Sequence, residues 1–310
     1  MNREIIIVAG PTAVGKTKYA IEIAKNFNGE IVSSDSMQLY KFMDIGSAKP
    51  TQEEQNQVKH YLVDEIDPRE PFSVAEYQKR ARDAIEQIFS KGKTPVISGG
   101  TGLYVNSLIY EMDFSAPPVG NEYRKKLENL AAKHGNEYVH QLLSKQDSEA
   151  AARIHPNNLK KVIRALEVAE NSEQGIQPFE KSFVKTSDYA YKLIGLSRNR
   201  EELYERINLR VDMLLDMGLV DEIKGLLDMG LTSDSISMKG IGYKEIIGYL
   251  NGEYDLEHAV YLVKRNTRHY AKRQITWFKR YDDIKWFNIS EYNSDDEAVK
   301  EIITWLRENR

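Results

Sequence analysis

The order of apolar and polar positions divides the chain into two styles. Residues 4–9 form a short unalternated run of β-branched and small apolar residues, the pattern of a strand buried on both faces. A glycine-rich turn follows, and residues 16–26 have helical character. Residues 30–34 predict a second strand ending at Asp35, and residues 60–66 a weaker third. Ser73 with Glu76 three residues later reads as a capping box, and apolar or small residues recur at 74, 77, 81, 85 and 88. Residues 94–98 predict a fourth strand running into Gly99-Gly100-Thr101-Gly102. This strand–helix alternation predicts an α/β fold, a parallel sheet with helices on its faces.

The style changes near Ser115-Ala116-Pro117-Pro118. Residues 122–134, 137–144, 147–154 and 159–170 carry only helical signals, punctuated by Pro156, Gly175 and Pro178. Residues 191–196 resume the strand pattern. Helices follow, the longest over 256–281, and then a strand at 284–287 and a helix at 295–307. The expected organisation is a core of residues 1–115 and 190–310, interrupted by an all-helical insertion at 116–189.

Composition narrows the chemistry. The 310 residues carry 43 Lys+Arg against 47 Asp+Glu, so nucleic-acid contact would need a local basic surface. There is no cysteine, which excludes disulfides, a thiolate nucleophile and Cys-ligated metals. The six histidines make no H-x-x-x-H pair, so a metal would be a hard cation on oxygen ligands. No apolar run approaches a membrane span, and the stretch before the glycine motif is too short for a signal-peptide core. These features point to the cytoplasm.

Gly10-Pro11-Thr12-Ala13-Val14-Gly15-Lys16-Thr17 is a full G-x-x-x-x-G-K-[ST] match between a predicted strand and a predicted helix, the context of a P-loop. Its backbone N–H groups, the helix N-terminus and Lys16 suit a phosphate, and Thr17 suits Mg²⁺. Whether the phosphate belongs to a nucleotide or to another diphosphate stays open. Asp35, at a strand's carboxyl end, suits a general base or metal ligand, or a helix cap. The glycines at 99–102 suit close approach to an anion, with Thr101 as a hydroxyl donor, or simply a tight turn. No acidic residue ends their strand, which argues against ordinary ATP hydrolysis. Residues 264–281 hold seven Lys/Arg and no acid, interleaved with Tyr270, Trp277, Phe278 and Tyr281. This suits RNA phosphates and bases, or a solvated helix face. Arg206 and Arg210, four apart, suit a diphosphate clamp or salt bridges to nearby acids. A small-molecule kinase using ATP accounts for the P-loop and Asp35 but not for the basic-aromatic helix.

The ordered blocks GPTAVGKT (10–17), SSDSMQLYKFMDIGSAKP (33–50), SGGTGLY (98–104), HPNNLKKVIRALEV (155–168), RINLRVDMLL (206–215), KGIGYKE (239–245) and TRHYAKRQITWF (267–278) resemble the bacterial tRNA dimethylallyltransferases, or tRNA isopentenyltransferases, over nearly the whole chain. The resemblance implies a P-loop-type α/β core whose helical insertion grips the tRNA anticodon stem-loop. It implies transfer of a dimethylallyl group from dimethylallyl diphosphate to N6 of adenosine 37. Asp35 would be the general base, with Lys16, Thr101 and Arg210 near the reacting groups. Gly10, Thr12, Ala13, Val14, Gly15, Lys16 and Thr17 would bind the diphosphate, with Mg²⁺ on Thr17. Asp35, Ser36, Met37, Gln38, Thr101, Arg124, Lys160, Lys161, Val162, Ile163, Arg164, Arg268, Lys272 and Arg273 would contact tRNA. ATP is not an expected substrate despite the P-loop, and no obligate protein partner is expected.

Overall fold

The structure is a computed structural model that describes residues 3–112, 121–171 and 184–309. It separates into two compact units. One comprises the chain up to Ile109 and again from Ser187, and the other runs Tyr110–Thr186. The junction expected at 115/116 falls outside the described residues, and the chain re-enters the first unit slightly before the expected residue 190.

The first unit is built on a six-stranded parallel sheet in the order β3-β2-β4-β1-β5-β6. The strands are β1 (Glu4–Ala9), β2 (Gly29–Ser33), β3 (His60–Tyr61), β4 (Thr94–Gly99), β5 (Ala190–Ser197) and β6 (Ile284–Asn288). Every residue of β1 is buried, as its central position between β4 and β5 requires. The third strand is shorter than the pattern at 60–66 predicts. Leu62 and Asp64 have positive φ (59° and 60°), which turns the chain out of the sheet after Tyr61. Glu30 on β2 is a buried carboxylate. Burial alone would raise its pKa, but hydrogen bonds from Lys93, Lys91 and Tyr61 outweigh it and hold it at about 2.

Helices flank the sheet. α1 (Lys16–Asn26) leaves the glycine turn, and α2 (Gln52–Gln57), not anticipated from the pattern, starts on a Thr51/Glu54 capping box. α3 (Val74–Ser90) begins on the expected Ser73/Glu76 box and buries Tyr77, Ala81, Ala84, Ile85 and Ile88. Tyr77 stacks on Tyr104 of α4 (Gly102–Ile109) with ring centroids 3.8 Å apart. α4 also escapes the pattern, because Tyr104 to Ile109 are all buried and leave no amphipathic stripe.

The second unit holds α5 (Asn121–His134), α6 (Asn136–Gln146), α7 (Ser148–Arg153) and α8 (Leu159–Asn171) around Leu127, Val139, Leu143, Ala150, Val162 and Leu166. Val162 and Ile163 are therefore core residues, 0% and 3% exposed, and their side chains cannot meet tRNA as expected. They form the apolar stripe of α8, whose exposed edge carries Lys160 and Lys161. Arg124 is engaged as well. It forks onto the buried Glu167 at 2.7 and 2.8 Å, and Arg164 joins the same carboxylate at 3.4 Å.

After β5 the first unit continues with α9 (Arg200–Asp216), α10 (Leu219–Asp228), α11 (Tyr243–Leu250), α12 (Leu256–Phe278) and α13 (Asp295–Glu308). α12 stops three residues short of the predicted end. Phe278 and Tyr281, 0% and 5% exposed, are core side chains and not platforms for bases. No helix among the described residues is long and apolar enough to cross a membrane.

Phe42 has φ 65° and is half exposed, so an aromatic residue bears a backbone strain that glycine would not. Phe42→Gly is expected to raise the unfolding free energy by about 0.5–1 kcal/mol, the left-handed penalty less glycine's entropy in the unfolded chain. Urea unfolding checks this, and a lowered midpoint would mean that packing of the ring outweighs the strain.

Candidate active site

Four neighbouring strands bring their carboxyl ends to one place. β2 leads to Asp35, β4 to Gly99–Thr101, β1 to the Gly10–Thr17 turn and β5 to Arg198. This edge is where ligands of open parallel sheets bind. Gly15 caps α1 with φ 108°, a left-handed conformation that glycine adopts without strain. The turn is held from outside by two arginines. Arg198 donates to the Val14 carbonyl at 3.1 Å, and Arg206 on α9 donates to the Ala13 carbonyl at 3.0 Å.

A cavity of about 890 Å³ opens beside the turn. Thr12, Ala13, Gly15, Lys16 and Thr17 line it, as do Asp35, Ser36, Met37 and Gln38 on the β2 side and Arg210 and Arg273 from α9 and α12. Gly10 and Val14 do not line it. They are buried behind the turn, and Val14 is 0% exposed. Thr101 does not line it either. Its hydroxyl accepts the Ser36 N–H at 3.1 Å and thereby braces the Asp35 loop. Arg268 packs onto α9, donating to Asn208 at 2.7 Å over the Tyr204 ring. Lys272 is exposed and away from the cavity, and Arg124, Lys160, Lys161 and Arg164 belong to the helical unit.

Seven Lys/Arg line the cavity against three carboxylates, Asp35, Asp44 and Glu54. This is the local basic surface that the overall charge of −4 conceals. Lys18, Lys49 and Lys244 pair with carboxylates. Lys16, Arg210, Lys239 and Arg273 make no ion pair among the described residues. Lys16 is partly buried and donates to the Pro11 carbonyl at 2.8 Å. Burial lowers its pKa, Asp35 opposes and Arg210 adds to the lowering, with the result near 8. Burial also lowers the pKa of Arg210, with Asp35 again opposing. Both cations are thus partly desolvated and make no ion pair among the described residues, a condition that favours gripping an anion.

Asp35 is oriented by its own loop, where Oδ1 accepts the Met37 N–H at 2.9 Å. Oδ2 makes no hydrogen bond among the described residues. Tyr270 lines the same space, its pKa pushed up to about 12 by burial and then by Asp35. Ile207, Val211, Leu214 and Met217 supply an apolar wall beside Arg210.

Several contributors carried no distinctive sequence signal. Lys239 and Lys244 stand in KGIGYKE, whose block is recognisable but whose lysines look like any others. Glu222 on α10 accepts N–H groups of Asp44, Ile45 and Gly46 at 2.7, 2.6 and 3.0 Å, and the Tyr243 hydroxyl at 2.9 Å. It pins the loop that follows Asp35 from a position 178 residues away in the chain. The glycines at 99 and 100 answer to protein atoms: a Cβ would overlap Ser34 at Gly99 and the Gln274 amide at Gly100.

The fold and site together define a P-loop-type α/β protein with a helical insertion and a cavity beside the glycine turn whose lining includes cations that make no ion pair among the described residues. The IPP transferase family profile matches residues 38–281. The tRNA dimethylallyltransferase of Alkaliphilus oremlandii (strain OhILAs) is 51% identical over 303 residues, covering 98% of this chain and 97% of that protein. Among solved structures, the full-length tRNA isopentenylpyrophosphate transferase of Bacillus halodurans is 43% identical with a TM-score of 0.76, covering 99% and 96% of the two chains. A eukaryotic dimethylallyltransferase captured acting on tRNA is 28% identical with a TM-score of 0.83, covering 99% of this chain and 80% of its own. The chain belongs to the tRNA dimethylallyltransferase family of prenyl-transferring enzymes.

Because Lys16 titrates near pH 8, its grip on an anion should fade as pH rises. Inorganic pyrophosphate affinity is expected to fall by about tenfold between pH 7 and pH 9 as the charged fraction of Lys16 drops. In Lys16→Arg, which stays charged, the fall should flatten. Calorimetric titration checks both, and identical profiles for the two proteins would remove Lys16 from the anion site.

Proposed function

We propose that this enzyme transfers the dimethylallyl group of dimethylallyl diphosphate to N6 of adenosine 37 in tRNA, releasing diphosphate. The observation that carries the reading is the convergence of Asp35 with the partly buried cations Lys16 and Arg210, unpaired among the described residues, on one cavity with an apolar wall. The names of the relatives agree with it. The diphosphate would lie against the Gly15–Thr17 end of the turn, between Lys16 and Arg210. The branched five-carbon chain would face Val211, Leu214 and Met217.

In the transfer, N6 of adenine attacks the allylic carbon. The N–C bond forms as the C–O bond breaks, and that bond's electron pair leaves with the diphosphate. The N6 proton passes to Oδ2 of Asp35, whose Oδ1 is held by the Met37 N–H. Lys16 and Arg210 stabilise the charge growing on the leaving group, in a site where partial burial weakens competition from water. The allylic carbon tolerates cationic character, so no covalent enzyme intermediate is needed. Adenosine 37 must leave the anticodon stack to reach this depth. The exposed Lys160, Lys161 and Lys272 are assigned to RNA phosphates.

Mg²⁺ fits the donor set. The Thr17 hydroxyl, a hard oxygen donor, borders the cavity where the diphosphate would lie. Among the described residues no three His, Cys, Asp or Glu side chains gather to hold a metal, so the ion would complete its shell on diphosphate and water. When bound, it supplies positive charge to the departing diphosphate. ATP takes no part in this reading, which needs no obligate protein partner and puts the enzyme in the cytoplasm with its tRNA.

Unmodified tRNA incubated with the protein, Mg²⁺ and dimethylallyl diphosphate, without ATP, should gain C5H8 on adenosine 37 by nucleoside mass spectrometry. Absence of that product, with phosphoryl transfer once ATP is supplied, would overturn the reading. Asp35→Ala should retain tRNA binding while kcat falls by about 100-fold or more. Turnover at the wild-type rate would remove Asp35 from the base role.

A further inference from the structure

The cavity has two chemically distinct walls, the Gly10–Thr17 turn and the loop that carries Asp35. One buried side chain ties the supports of both. Gln274 on α12, 5% exposed, accepts the Thr12 N–H on Oε1 at 2.9 Å and donates from Nε2 to the Gly100 carbonyl at 2.9 Å. The next residue, Thr101, accepts the Ser36 N–H at 3.1 Å, and Ser36 adjoins Asp35. An unbroken chain of peptide and hydrogen bonds therefore runs from the anion turn through Gln274 to the carboxylate.

An uncharged amide satisfies an N–H and a carbonyl oxygen with one rigid planar group at any ordinary pH, as a carboxyl does only while protonated. A carboxylate lacks the donor, an ammonium lacks the acceptor, and an aliphatic side chain leaves both backbone groups without these bonds. Gly100 is part of the same device. A Cβ there would overlap the Gln274 amide nitrogen, the movable end of a side chain. The Thr12 N–H is engaged by Gln274, so the anion meets the later amides of the turn.

We propose that Gln274 is a positioning residue for the transfer. It sets the separation between the diphosphate cradle and the base, and so the approach of N6 to the allylic carbon. This rests on the functional reading above. A displacement on the order of 1 Å between reacting groups costs about 100-fold in rate, so a positioning residue acts on kcat without touching substrate.

The test uses the full chain as wild type, Gln274→Leu, Gln274→Glu and Gly100→Ala. Gln274→Leu is expected to bind tRNA within about threefold of wild type while kcat falls by about 30-fold or more. The Gln274→Glu variant carries the decisive readout. A protonated carboxyl reproduces the donor and acceptor of the amide, whereas the carboxylate loses the donor and repels the diphosphate. Its kcat relative to wild type should therefore rise by about tenfold or more from pH 8 to pH 6, a response that simple packing would not give. Gly100→Ala should lower kcat in the same manner and add little to Gln274→Leu in the double variant.

A kcat within threefold of wild type for Gln274→Leu would overturn the positioning role. So would a flat pH ratio for Gln274→Glu, or tRNA affinity falling in step with kcat. If wild type forms no dimethylallyladenosine, the functional reading fails on its own. In that case inorganic pyrophosphate affinity of Gln274→Glu, expected to strengthen by about tenfold from pH 8 to pH 6 relative to wild type, still tests whether Gln274 sets the cradle.

Discussion

Two partly buried positive charges that make no ion pair among the described residues share one cavity with Asp35, and the surrounding architecture follows from that imbalance. Lys16 and Arg210 have lost part of their water, and Asp35, with Glu54 for Arg210, compensates only part of the cost. Such an arrangement needs a fold that holds the cations in place, and it favours an anion that completes it. α9 does the holding. Its Arg206 turns to the Ala13 carbonyl, and Arg210, one turn later on the same face, enters the cavity. Arg198 secures the next carbonyl, at Val14, and is itself paired with Glu202 and Asp295. The turn is thus tied down on its carbonyl side, with its other side bordering the cavity.

The second requirement is closeness. β2, β4 and β1 end side by side, and their loops approach so tightly that Gly99 has no room for a side chain beside Ser34. Hydrogen bonds then hold the loops at fixed separations: Ser36 to Thr101, Thr12 and Gly100 to Gln274, and the 44–46 segment to Glu222. Most of these partners are distant in sequence. They resemble the supports expected beneath a site whose reacting groups must be placed within a fraction of an ångström. The same helices that supply them also bury the unit's core, so stability and placement rest on the same packing.

Much of the molecule was legible in one dimension. Uniform apolar runs marked β1 and β4, the Ser73/Glu76 box marked the start of α3, and G-x-x-x-x-G-K-T marked the turn before α1. Failures occurred where one residue type serves two ends. The interleaved aromatics of residues 264–281 looked alike, yet Tyr270 lines the cavity while Phe278 and Tyr281 fill the core. Val162 and Ile163 adjoin Lys160 and Lys161 in sequence, but helical geometry turns the first two into the core and leaves the lysines exposed at its edge. The glycines at 99–102 fitted either an anion or a tight turn, and neighbouring protein atoms account for Gly99 and Gly100. Arg206 and Arg210 fitted a clamp or salt bridges. Neither pairs with a carboxylate among the described residues, because the nearest acceptors are backbone carbonyls.

What the order of residues could determine was local: the elements, the turn chemistry, and a set of motif blocks dense enough to name a family. Those features depend on backbone preference and on neighbours a few positions away. Tertiary structure decided which charges lose water, which lysines converge with Asp35, and that Gln274 and Glu222 brace the loops around it. Burial and hydrogen-bond partnership depend on atoms contributed from far along the chain. The pairing of Gln274 with Thr12 spans 262 residues, and no pattern within either segment encodes it.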